Sequence, residues 1–146
     1  MKNRIFNTDE SWAPFIMRII LGVVIFAHGA QKLFGWFNGY GFQGTMDYFV
    51  QTVGLPWIIG FSIIVLESLG AIGLILGFAT RLLALSYTLL AAGIILTVHL
   101  QNGFFMNWGG NQPGEGFEFF LLWIGLSLAL VLAGGGKFSL DKAWIK

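Results

Sequence analysis

Cysteine is absent from these 146 residues, and charge is scarce. Without a thiol the chain can form no disulfide, no thiolate metal site and no cysteine nucleophile, and it carries no mark of redox compartment. Charged residues make up 10% of it, against roughly 25% in soluble domains. That share cannot coat a water-facing globule. The formal net charge is +1 and no basic run occurs, which excludes a surface built to track the phosphates of a nucleic acid. A phosphate-binding loop and a flavin-binding motif are missing too, so any electron the chain handles must come from a bound cofactor, a substrate or a partner.

What is present is apolar: 56% of the residues are hydrophobic. Such a composition predicts an integral membrane protein in contact with the lipid bilayer. A spanning helix needs about 20 mainly apolar residues, and four segments qualify: about 14–34, 56–78, 82–100 and 117–132. The expected fold is an all-α, four-helix membrane bundle forming a single domain over residues 1–146, with no linker between parts. The first apolar segment is read as a retained span, because Asp9 and Glu10 share its flank with Lys2 and Arg4 and no small-residue cleavage site follows. Trp12 and Pro14 suit its opening turn, and Arg18 is expected to snorkel to the interface. The connector 35–55 is too short to span. Within it Thr45 is expected to cap a short helix carrying Met46, Phe49, Val50 and Val53, lying on the membrane surface or folded back over the helix ends.

Only a few residues, with Thr80 and Arg81 making the turn, separate the second and third segments, which makes those helices antiparallel neighbours. Gly70, Gly73 and Gly77 allow close helix contacts, a homodimer among them. With four alternating spans, Lys2, Arg4, Arg81, Lys137, Lys142 and Lys146 fall on one side, and the positive-inside rule places both termini in the cytoplasm.

The few polar side chains in the spans are then informative. In Phe26–Trp36, FAHGAQKLFGW, the residues His28, Gln31 and Lys32 stand at helical spacing near the outer end of an apolar run. His99 ends the third helix, Glu118 opens the fourth, and Glu67 lies deeper in the second. Such residues in a span usually face the bundle, and Glu67 must be protonated or paired there. Each has a plain reading as well: a packing carboxyl, interfacial histidines, a snorkelling lysine, an acid at a helix N-terminus. A haem held by His28 and His99, or a metal on both histidines with Glu118 or Glu67, is a minor reading of the same residues.

The runs His28-Gly-Ala-Gln-Lys-Leu-Phe-Gly35 and Gly41-Phe-Gln-Gly-Thr45 resemble the opening signature of the DoxX family. So do Glu67-Ser-Leu-Gly70, Gly77-Phe-Ala-Thr-Arg81, His99-Leu-Gln-Asn-Gly-Phe-Phe105, Gly116-Phe-Glu118 and Phe138-Ser-Leu-Asp141. The likeness runs from about Arg18 to Asp141. It implies a multi-pass, four-helix protein of the bacterial cytoplasmic (inner) membrane. A DoxD relative belongs to a thiosulfate:quinone oxidoreductase, and other relatives are associated with oxidative stress, thiol balance or quinone tolerance.

On that basis the chain is expected to be a quinone-interacting subunit of a membrane redox system, working with a redox enzyme partner. His28, Gln31 and Lys32 would donate to the quinone oxygens, and His99 or Glu118 would carry protons. Glu67 would extend the proton path, with Phe34, Trp36, Phe104, Phe105 and Trp108 as aromatic walls. The alternative is non-enzymatic: a membrane scaffold, or a small transporter.

Overall fold

The computed structural model describes Thr8 and residues 10–145. Every regular element among them is helical. Helix α1 runs Trp12–Phe34, α2 Gly41–Asp47, α3 Trp57–Leu76, α4 Thr80–Asn102, α5 Glu118–Ala133 and α6 Leu140–Ile145. Three of them, α1, α3 and α4, are long and apolar enough to cross a membrane, and α5 is a shorter apolar helix. The observed ends lie within two residues of those expected from hydropathy.

Each long helix buries one stripe at spacings of three and four. The core joins Leu21 and Ile25 of α1, Ala71 and Leu74 of α3, Ala84, Tyr87 and Ala91 of α4, and Trp123 and Leu130 of α5. The other faces expose Ile16, Ile20, Val23, Leu85, Leu89, Leu96, Leu122 and Leu132. In water such faces would drive association; against lipid tails they cost nothing. Helix α1 packs along the length of α3 and also against α5, and α4 packs extensively against α5.

Helix α1 meets α3 at very short range. A Cβ on Gly29 would lie 2.2 Å from the Glu67 carbonyl oxygen, so only glycine lets the two backbones touch there. Glu67 therefore stands at the level of Gly29. The greater depth assigned to it from its place within its own helix disappears once the helices are packed.

The α3–α4 turn is closed by chemistry the sequence displays. Gly77 adopts φ +70°, with Gly77 N–H donating to Leu74 O at 3.0 Å and Phe78 N–H to Gly73 O at 2.9 Å. The N-terminus of α4 is capped by Asp141, distant in sequence, which accepts from Ala79 N–H at 2.6 Å and Thr80 N–H at 2.9 Å.

Two expectations are corrected. Arg18 does not snorkel to water; it is 1% exposed. Its Nε donates to Gly135 O at 2.8 Å and its Nη2 to Lys137 O at 3.0 Å and Phe138 O at 3.1 Å, while Nη1 donates to Ile75 O. It joins α1 to the end of α3 and to the segment leading into α6, because carbonyls at helix ends need donors as much as a guanidinium needs acceptors. Thr45 does not cap α2 either. That helix begins four residues earlier, at Gly41, and Thr45 is buried inside it. The connector folds back over the bundle, with Met46 and Phe49 against Gly60 of α3. Lys2, Arg4, Asp9 and Lys146, which bear on the retained first span and on the orientation, lie outside the described residues.

Candidate functional site

At the end of the bundle opposite the α3–α4 turn the helices separate around a cavity of about 660 Å³, within the range of small-molecule sites. Its walls are mostly aliphatic and aromatic, and His28, Lys32, Glu67, His99 and Glu115 all reach it.

Local backbone geometry creates this space. Three π-helical turns interrupt the helical segments, at Tyr48–Thr52, Leu66–Gly70 and Ile95–His99. All three contribute to the one cavity: Tyr48 and Phe49 from the first, Glu67 from the second, Thr97, Val98 and His99 from the third. A π-turn loosens the helical hydrogen-bond ladder and is frequent at functional sites. Nearby hydroxyls supply extra donors around two of the turns. Ser68 Oγ donates to Ile64 O at 2.6 Å, Tyr87 O–H to Leu66 O at 2.7 Å, and Thr97 Oγ1 to Gly93 O at 2.8 Å.

Glu67 is paired. Lys32 Nζ lies 2.5 Å from its Oε2, with the carboxylate side chain only 2% exposed and the lysine 24%. An isolated carboxylate there would be costly; the pair keeps both charges at the cavity wall. His99 is held from the loop 103–117 between α4 and α5, the outer loop in the sense of lying farthest from the α3–α4 turn: its Nδ1 lies 2.7 Å from the carbonyl oxygen of Glu115. A carbonyl can only accept, so Nδ1 carries a proton, and in the neutral ring Nε2 is then free to accept one. The His99 ring lies 4.7 Å from that of Phe120, and His28 sits 6.4 Å from Phe119.

The predicted stripe on α1 divides. His28 and Lys32 reach the cavity, whereas Gln31 does not line it; its amide donates to Phe37 O at 3.4 Å. Residues i and i+4 straddle the helix-facing direction here, leaving i+3 on the flank. Glu118 is also outside. It opens α5 and accepts from Met106 N–H at 2.9 Å, a bond that anchors the outer loop. The expected aromatic walls are misplaced: Phe34, Trp36, Phe104, Phe105 and Trp108 all lie outside the cavity and are exposed, Trp108 by 89%. The aromatic side chains that do line it are Tyr48 and Phe49 of the connector and Phe119, Phe120 and Trp123 of α5. The α5 set has a sequence signal, three aromatics within a helical i, i+1, i+4 pattern, but the same pattern suits a lipid-facing surface. Glu115 had no signal, lying in a turn-rich loop. No group of three or more His, Cys, Asp or Glu that could hold a metal ion occurs among the described residues.

Comparison with known proteins gives two positive findings. The DoxX family model matches residues 13–100, a span that includes His28, Lys32, Glu67 and His99 and stops short of the outer loop and α5. A protein of Bacillus subtilis (strain 168) named "Putative oxidoreductase CatD" is 30% identical over 124 residues, which cover 85% of this chain and 82% of that protein. No solved structure matches.

Proposed function

The chain belongs to the DoxX family of membrane proteins, and from that premise we propose that it is a quinone-interacting subunit of a redox system in the bacterial cytoplasmic membrane, serving oxidative or thiol stress. The observation carrying this reading is the convergence of His28, Lys32, Glu67 and His99 on one largely apolar cavity. A quinone has a flat apolar ring and two carbonyl oxygens. Phe119, Phe120 and Trp123 offer faces for the ring, and Lys32 and His28 offer donors to the oxygens. Reduction of the ring takes two electrons and two protons. The electrons come from a redox enzyme partner, since this chain has no cysteine, flavin motif or phosphate loop. His99 passes a proton at Nε2, and the Lys32–Glu67 pair extends the path towards the bundle interior. The oxidoreductase name of the Bacillus relative supports this class of activity.

In this reading α1, α3, α4 and α5 all cross the bilayer as one domain. Arg81, Lys137 and Lys142 share the side that faces the cytoplasm, together with both termini. The cavity then opens near the outer leaflet.

A second reading, a non-enzymatic scaffold or transporter, draws on the Lys32–Glu67 pair, which satisfies both of its charges without any ligand. Mass spectrometry of quinones extracted from protein purified with native lipid decides between them. The quinone reading expects near-stoichiometric quinone with the native chain and loss of it from folded His28→Ala. Quinone-free native protein would leave the scaffold reading standing.

A further inference from the structure

We infer that the cavity is reached sideways from the bilayer, through the cleft between α3 and α4, and that its ligand is a long-tailed lipid whose hydrocarbon chain lies in that cleft. The inference rests on the quinone reading and adds the tail and the route.

Near their turn α3 and α4 are tightly packed. A Cβ on Gly73 would lie 3.0 Å from Leu83 Cδ1, and one on Gly70 2.9 Å from the Tyr87 hydroxyl. Tyr87 bonded to Leu66 O is the last cross-link of this kind. Almost two turns further out, a Cβ on Gly93 would find no heavy atom within 4 Å, although Gly93 borders the cavity. The two helices have diverged there. Ile59 and Ile63 on α3 face Leu89, Leu90 and Ile94 on α4 across this part of the cavity, and none carries a polar side-chain atom. Ile59 is 46% exposed and Leu89 66%, on helices whose length and hydropathy place them in hydrocarbon.

The ionisable groups lie elsewhere around the cavity: His28 and Lys32 on α1, Tyr48 in the connector, Glu67 at its turn, His99 at the end of α4 and Glu115 in the loop before α5. A small polar solute would leave the aliphatic cleft uncovered, whereas a tailed lipid fills both parts. From the loop between α4 and α5, Met106 and Glu115 reach the cavity wall. Gly116, Phe117 and Glu118 N–H donate to Phe105, Gly103 and Phe104 carbonyls at 3.2, 3.2 and 2.9 Å, which ties the two ends of that loop together and fixes it at this end of the cavity.

The test uses the full chain in lipid nanodiscs and two probes, a dimethoxy-methyl-benzoquinone with a decyl tail and the same ring without a tail. Gly93→Trp is expected to weaken the tailed probe about tenfold or more while leaving the tailless ring within about threefold, and Gly93→Ala is expected to change neither. Should Gly93→Trp fail to fold, native protein is photolysed with a tailed probe bearing a terminal diazirine. Labels on Ile59, Ile63, Leu89 or Leu90 support the cleft; labels confined to the outer loop overturn it. Equal weakening of both probes by Gly93→Trp overturns the cleft and leaves the quinone reading intact. Binding of neither probe to the native chain overturns both.

Discussion

The two ends of the bundle each bury charge, and they use it in opposite ways. At the α3–α4 turn, Arg18 and Asp141 are both 1% exposed, and their bonds go to backbone: carbonyls of residues 75, 135, 137 and 138 for Arg18, the N–H groups of residues 79 and 80 for Asp141. These are groups that a helix end leaves open and that lipid cannot satisfy. At the other end Lys32 and Glu67 spend their charge on each other, beside open volume, in helices loosened by π-turns. Buried charge alone therefore does not mark a site. The distinction is whether the partner is backbone that the fold must close, or a neighbour at the edge of a space.

The strongest way to break this contrast is to remove one charge at each end. Arg18→Met leaves several buried carbonyls without donors and is expected to cost on the order of 3–5 kcal/mol, while the folded fraction keeps the quinone that the proposed function assigns to the native chain. Glu67→Leu is expected to cost a similar amount, about 3–5 kcal/mol, by stranding the Lys32 ammonium, and adding Lys32→Met should recover most of that loss. Ligand should be absent from both Glu67 variants. Thermal unfolding in detergent with parallel ligand extraction reads all of these. Ligand loss from a folded Arg18→Met protein would erase the distinction.

A gentler probe uses the glycines. Gly29→Ala pushes a methyl to within 2.2 Å of the Glu67 carbonyl and should destabilise by about 1–3 kcal/mol. Gly93→Ala meets nothing within 4 Å and should stabilise by nearly 1 kcal/mol, since alanine favours the helix. Thermal shifts of opposite sign are the expected result; shifts of the same sign would mean α3 and α4 do not diverge as described.

The smallest effect belongs to the aromatic residues of the outer surface. Trp108→Ala should change stability by less than about 0.5 kcal/mol and leave ligand content alone, whereas Phe120→Ala, at the cavity wall, should reduce the ligand retained on purification. Equal ligand retention in the two variants would put the ring elsewhere.

The sequence by itself determined the class of structure and most of the polar centre. Long apolar runs can only close their backbone hydrogen bonds as helices in lipid, so α1, α3 and α4 were legible to within two residues. His28, Lys32, Glu67 and His99 stood out because ionisable groups in such runs are costly and few. The tertiary structure alone decided which of them meet and what surrounds them. Which members of the α1 stripe border the cavity, His28 and Lys32 but not Gln31, depends on a rotation of α1 set by the glycine contact with α3. The cavity depends on π-turns, which have no sequence signature of their own. Its aromatic wall comes from Phe119, Phe120 and Trp123, identical in composition to a lipid-facing stretch. Arg18 follows the same rule: local pattern says how far a side chain is from the interface, and only packing says whether carbonyls or water receive it.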